Sequence, residues 1–217
     1  MRIIACLALI GLLAPEGAMA KPTKDASQIF WEFSSCVVKR EPDTVRELLV
    51  EQKWNESDLH KAIILANRYP DCAVFDEMTF KADLFRGTIA AAAFVNKYRW
   101  RSIPDYSGIP PLVTDAMLTL STAEDEKYAL SMRAFAECVF RNRPNEVKSL
   151  LSYPPFSRQE AAQWRSLNPV MGACLPAKDG TQFRFTYVSL RGMLGEAAYA
   201  VDIALDSRAG ASEGTAH

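Results

Sequence analysis

Histidine is nearly absent from this chain. Of the two present, His217 is the last residue, and His60 stands alone in the interior, three residues after Ser57. One internal imidazole cannot furnish a histidine-rich zinc site, and a serine three residues before it makes at best a local contact, not a catalytic triad. His60 reads as a half-exposed helix residue, and the matching place in the second half of the chain is Ala162. Glycine signatures are missing too. There is no GxSxG elbow, no dinucleotide fingerprint, no P-loop and no calcium loop. No CxxC redox pair or CxxCH haem site occurs. No cofactor is therefore expected, and no metal.

An excess of charge of one sign is lacking as well. Lys and Arg number 25 against 26 Asp and Glu, for a net charge of -1. Nucleic-acid binders usually carry a basic domain, so nucleic acid is not an expected partner. The composition, 49% hydrophobic and 24% charged over 217 residues, is that of one or two folded domains.

Long hydrophobic runs are also missing. The longest, Ile3–Ala14, falls short of the roughly 17 to 25 residues a membrane helix needs. It follows Arg2, is broken by Pro15 and Gly17, and leads to Ala18 and Ala20, the small residues a signal peptidase accepts. Residues 1–20 thus read as a cleaved secretory signal, with an uncleaved anchor as the alternative. Cys6 lies too near the start for a lipidation site. A periplasmic or secreted chain results, with no transmembrane span in its mature part.

Removing the leader leaves Cys36, Cys72, Cys138 and Cys174, an even number suited to an oxidising compartment. What is present then comes into view. The stretch FSSCVVKREPDTVRELL, from Phe33, returns as FAECVFRNRPNEVKSLL, from Phe135, with Cys, Val, Pro and the paired leucines in register. Both cysteine intervals fit the same spacing. The pairing that keeps each unit self-contained is Cys36–Cys72 and Cys138–Cys174. A unit-to-unit pairing, Cys36 with Cys138 and Cys72 with Cys174, is the weaker alternative. Four sulfurs meeting on zinc, and free thiols, are the others. Each self-contained bridge would close a loop of about 37 residues, worth roughly 3.8 kcal/mol in chain entropy.

The periodicity is helical. Ala26, Phe30, Phe33 and Val37 form one stripe, matched by Tyr128, Met132, Phe135 and Val139. Pro42 and Pro144 each open a second, short helix lined by Val45, Leu48 and Leu49 or by Val147, Leu150 and Leu151. Third helices open at Asn55 and Ser157, each with an acidic residue three positions on and an aromatic staple, Trp54 or Phe156, just before. The cysteines in ANRYPDC and NPVMGAC should lie just past the ends of those helices. Beyond them the register slips by three in a polar loop, so that Phe80, Arg86-Gly87 and Phe94 match Phe185, Arg191-Gly192 and Tyr199. Fourth helices are expected over roughly 80–98 and 186–205.

The expected architecture is all-α, with two tandem disulfide-stapled units of about four helices each. Unit one spans 21–100, an irregular crossover 101–120, unit two 121–206, and a flexible tail 207–217. STAE, from Ser121, should cap the first helix of unit two. The two copies of C-V-x-K/R-x-x-P-x-x-V-x-x-L-L, followed by a second cysteine and an Arg-Gly helix, resemble small exported proteins encoded in alphaproteobacterial genomes. In those proteins the same cysteine-bracketed helical unit occurs twice. The resemblance covers residues 30–98 and 132–200. It implies export and repetition and transfers no catalytic residue.

Among polar residues, Arg86 and Arg191 stand out because each precedes a glycine at the same point of its unit. The expected role is to cap helical carbonyls or pair with a carboxylate, and a matched anion site is the alternative. Glu196 has no acidic counterpart, since Ala91 matches it, and Asp76, Glu77 and Asp83 have none of like charge. In the crossover, Tyr98, Trp100 and Tyr106 surround Arg99 and Arg101. They either plug the seam between units or form a surface site. The function expected is a non-catalytic envelope module binding a protein, peptide or small ligand. An enzyme with polar residues gathered at the seam is the alternative, and a purely structural or stress role is a third.

Overall fold

A computed structural model describes residues 25–50, 60, 64–65, 67–72, 82–175 and 185–213. The leader, Trp54 to Asp58, and Asp76, Glu77 and Phe80 lie outside these residues. The described part is all α-helix, turn and loop. In chain order its helices are α1 (Ala26–Arg40), α2 (Pro42–Val50), α3 (Ala82–Lys97), α4 (Asp115–Leu120), α5 (Glu124–Asn142), α6 (Pro144–Ser152), α7 (Arg158–Cys174) and α8 (Tyr187–Glu213). His60 and the described residues from Ile64 to Arg68 are helical as well, and His60 is exposed.

Two disulfides bracket helical segments. Cys36 is joined to Cys72 and Cys138 to Cys174, each across a separation of 36 residues. The unit-to-unit alternative is thereby excluded. The stripes predicted from periodicity are buried from their second member on. Phe30, Phe33 and Val37 are in the core, as are Met132, Phe135 and Val139, while Ala26 and Tyr128 at the stripe ends are exposed. Val45, Leu48 and Leu49 are buried, and so are Val147, Leu150 and Leu151. Pro42 and Pro144 begin α2 and α6, where a missing amide hydrogen interrupts no helical bond.

Two apolar clusters result. One centres on Phe33, Val37, Phe85 and Ile89, the other on Phe135, Val139, Leu150, Leu167, Leu190 and Leu194. They are joined by α3 and α8, the most extensive helix pair. The two helices run in the same direction, because contacts advance along both together. Gly87 faces Gly192, Ala91 faces Gly195, and Lys97 reaches Asp202. Neither core is closed by its own half. Phe94 on α3 packs edge-on against Phe140 at 5.4 Å, inside the second cluster. Its sequence counterpart Tyr199 on α8 packs against the first.

Several local expectations need correction. The first helix of unit two starts at Glu124, with Ala123 at the N-cap and no side-chain cap. Ser121 instead donates to Glu126 at 2.7 Å, and three acidic residues in the first turn compensate the helix dipole. Pro169 lies inside α7, and Cys174 is that helix's last residue rather than one beyond it. The segment 207–213 is helical, continuing α8. Ser207 bonds back to the Ile203 carbonyl, and Arg208 is tied to the Gly108 carbonyl. The crossover contains one short helix, α4, capped by Thr114. Its remainder is irregular and held by side chains from the helices around it, Arg208 among them. Arg141 donates to the carbonyls of Tyr106, Ile109 and Pro110, and Glu137, its own ion-pair partner, accepts from the Leu112 amide.

Candidate functional site

The repeated Arg-Gly pair lies where α3 and α8 meet. Glycine is required here by close approach. A Cβ at Gly87 would stand 2.5 Å from Gly192 Cα and 2.8 Å from its carbonyl carbon. The backbones therefore touch, and the preceding arginines are turned away from the contact, each toward the short helix of its own half.

Arg191 is buried and fully used. It donates to the carbonyls of Leu150, Leu151 and Tyr153 at 2.8 to 2.9 Å, closing the C-terminal end of α6, and to Glu160 Oε1 at 2.8 Å. Burial pulls the guanidinium down from its ordinary pKa, and the Glu160 carboxylate opposes that shift. Glu160 forms one half of the capping box expected from the sequence, its amide bonding to Ser157 Oγ at 3.1 Å. The reciprocal half is displaced by one residue: Oε2 accepts the amide of Phe156 at 2.5 Å, while the Ser157 amide bonds to the Pro154 carbonyl. One carboxylate thus links the buried arginine to the Phe156 backbone.

That backbone is unusual. Phe156 has φ 62°, the left-handed region in which a bulky side chain is strained by about 1–3 kcal/mol. Its ring is 56% exposed, so it does not act as the apolar staple expected of it. It rims a cavity of about 50 Å³ at the seam between the halves, together with Ala26, Ser27 and Phe30 of α1 and Tyr187 of α8. Tyr187 is 63% exposed and leans on Trp164 at 5.4 Å. Gln28 crosses the seam beside them to the Pro155 carbonyl, 3.1 Å away.

A second polar cluster lies further along the same helix pair. Asp202 is buried and accepts from Tyr98 and Tyr106, the latter at 3.2 Å, and from Lys97 at 2.7 Å. Lys97 also bonds to Asp206 at 2.8 Å. Burial raises the pKa of both phenols above the ordinary 10.0, and hydrogen bonding with Asp202 adds to this. For Lys97 burial works downward, but the bonds to Asp202 and Asp206 prevail and the ammonium is raised above 10.5. The cluster ties together α3, the crossover and α8.

The residues singled out from sequence therefore part company. Arg191 and Tyr106 are interior and present no surface. Arg86 is largely covered and reaches Leu49 O and Glu196 Oε2, both at 3.4 Å. Arg99, Trp100 and Arg101 are exposed together on the turn that leaves α3. Tyr98 and Tyr106 plug the seam, whereas Trp100 does not. Sequence reasoning missed Asp202, and it placed Glu160 in a helix cap without its ion pair to Arg191. A signal existed for the first, because Lys97 and Asp202 occupy matching places with opposite charge. Among the described residues, no group of three or more His, Cys, Asp or Glu is placed to hold a metal ion, and no helix is long and apolar enough to cross a membrane. No family model, curated protein or solved structure matches the chain.

Proposed function

We propose that the chain is an exported, non-catalytic module, two copies of one disulfide-closed helical unit, that binds a protein or peptide at the aromatic rim of its seam. Export rests on the leader pattern and on two disulfides in the mature part, and kinship with the exported alphaproteobacterial proteins on the cysteine-bracketed motif that occurs twice. The observation that carries the binding role is Phe156. A strained backbone persists only where its surroundings enforce it, and here the Arg191–Glu160 pair holds the Phe156 amide while the ring faces solvent. Arg191 is thus a positioning residue for an aromatic that contributes little to the core.

Against the enzyme alternative, the polar groups of the seam are spent on one another. Against a small ligand, about 50 Å³ is far below the ~300–1,000 Å³ of ordinary ligand pockets. Exposed aromatics around a shallow depression suit a protein surface instead.

The test is affinity capture from periplasmic and envelope extract, with the oxidised protein and its Phe156→Gly variant as paired baits. Glycine adopts φ 62° freely, so the variant is expected to gain about 1 kcal/mol in urea denaturation while losing the captured partner. A variant that captures the same material as the parent would refute the rim as the binding site.

A further inference from the structure

Trp100 is 86% exposed, more than any other large apolar side chain among the described residues. It does not hang from a loose loop. Before it, Tyr98 is buried and bonded to Asp202. After it, the Arg101 carbonyl accepts from Lys148 Nζ at 3.3 Å. The amides of Arg99 and Arg101 fold back onto the carbonyls of Asn96 and Tyr98, both at 3.4 Å. An anchored turn thus holds the indole out into solvent.

Cations gather about it. The Arg99 guanidinium lies over the indole ring, 5.1 Å from its centre, the exposed Arg101 follows on the same turn, and the half-exposed Lys148 of α6 brings its ammonium to the Arg101 carbonyl. Of the carboxylates on these elements, Asp202 and Asp206 pair with Lys97, while Asp105 accepts from the Ser107 amide and hydroxyl and keeps its negative charge, one against the three cations. An indole prefers the boundary between water and hydrocarbon, and cations beside it are drawn to an anionic leaflet. A bound peptide chain needs a groove that covers the anchoring side chain's flanks. A ring this exposed has no such walls, and suits a planar surface that yields around it.

We propose that the turn 98–101 is a peripheral membrane-docking element, which seats Trp100 in the interface of an anionic bilayer with Arg99, Arg101 and Lys148 on the headgroups. This is independent of the seam rim. It brings the protein to a lipid surface without spanning it.

The experiment is flotation of the full chain with vesicles of phosphatidylcholine alone or of equimolar phosphatidylglycerol and phosphatidylcholine. The apolar run Ile3–Ala14 is common to all variants, so the turn is read from differences between them. The parent is expected to float with the anionic vesicles in excess of the neutral ones, and to lose that excess as salt rises. Trp100→Ala should weaken the anionic component about tenfold. Arg99→Ser with Arg101→Ser should weaken it about thirtyfold. All three positions are exposed, and unchanged melting and helical circular dichroism would confirm intact folds. Equal flotation of parent and Trp100→Ala, or no preference for phosphatidylglycerol, would overturn the proposal. So would binding of poly-glutamate through Trp100 without vesicle binding, which would make the turn a protein-docking element.

Discussion

Arg86 and Arg191 hold matching places in the two halves, each one residue before a glycine of the same backbone contact. Their environments differ. Arg191 is enclosed, with three carbonyls and a carboxylate at 2.8 to 2.9 Å. Arg86 reaches the carbonyl of Leu49, the counterpart of Leu151, but at 3.4 Å, and its acidic partner Glu196 comes from the opposite half. The same local instruction, an arginine aimed at the end of the short helix, is met by contacts of 2.8 to 2.9 Å in one case, while in the other the contacts to described residues stand at 3.4 Å. For Arg191 the carboxylate comes from the half's own third helix, as Glu160; the matching position in the first half, Asp58, lies outside the described residues.

The sharpest way to break this comparison is to remove each arginine in turn. Arg191→Met leaves Glu160 buried without its cation and takes the guanidinium donors from three carbonyls, and should cost about 3–5 kcal/mol in urea denaturation. Arg86→Met should cost about 1–2 kcal/mol. Equal losses would mean that the two sites are energetically alike despite their geometry.

The disulfides test the halves in the opposite sense, because here they match. Both span 36 residues, so chain entropy predicts about 3–4 kcal/mol for either. Replacing Cys36 and Cys72 by serine should therefore lower stability about as much as replacing Cys138 and Cys174. A large inequality in melting curves would show that one half holds residual structure when unfolded.

Next in size is the glycine pair. Gly87→Ala forces a Cβ to 2.5 Å from Gly192 backbone and should cost about 1–3 kcal/mol as the helices part. A Cβ at Gly192 meets Gly87 Cα at 3.6 Å, ordinary contact. Gly192→Ala should thus be neutral, or gain up to about 1 kcal/mol in helix propensity. Reversal of that order would place the two helices differently from the arrangement described.

The smallest effect is alkaline. Lys97, Tyr98 and Tyr106 all have folded pKa values above their ordinary ones. The folded state then holds protons that the unfolded chain releases from about pH 10 upward, so their stabilisation is complete below that pH and declines above it. Melting temperature should be flat toward pH 10 and fall beyond, less steeply in Tyr106→Phe.

Much of this architecture was legible in the chain because it depends on local signals written twice. The paired leucines and the prolines that open α2 and α6 are readable in either half, and the cysteine pairing followed from the equal spacing in both. The capping box at Ser157 was equally plain. Long-range terms were not. Nothing in the periodicity says that Glu160 bridges from its cap to a buried arginine, because that requires α7 and α8 to be placed first. Phe156 read as a staple from its position alone, and neither its left-handed backbone angle nor the bond of its amide to Glu160 is written in the pattern. The helix at 207–213 was hidden for another reason. Its small polar residues have little apolar face, and a tie from Arg208 to the crossover replaces the burial that a pattern would have revealed.

The exchange of Phe94 and Tyr199 bears on the order in which the protein can be completed. A chain emerges from its N-terminus, and the earlier part begins folding while the rest is still being made. When residues 25–98 are out, the first cluster still lacks Tyr199, Gly87 faces no partner, and Ala91 has no Gly195 against it. The piece that fills those vacancies is α8, the last helix to arrive. Chains cut short before it should therefore be recognisable as unfinished, with an alanine-rich flank open to proteases until synthesis ends.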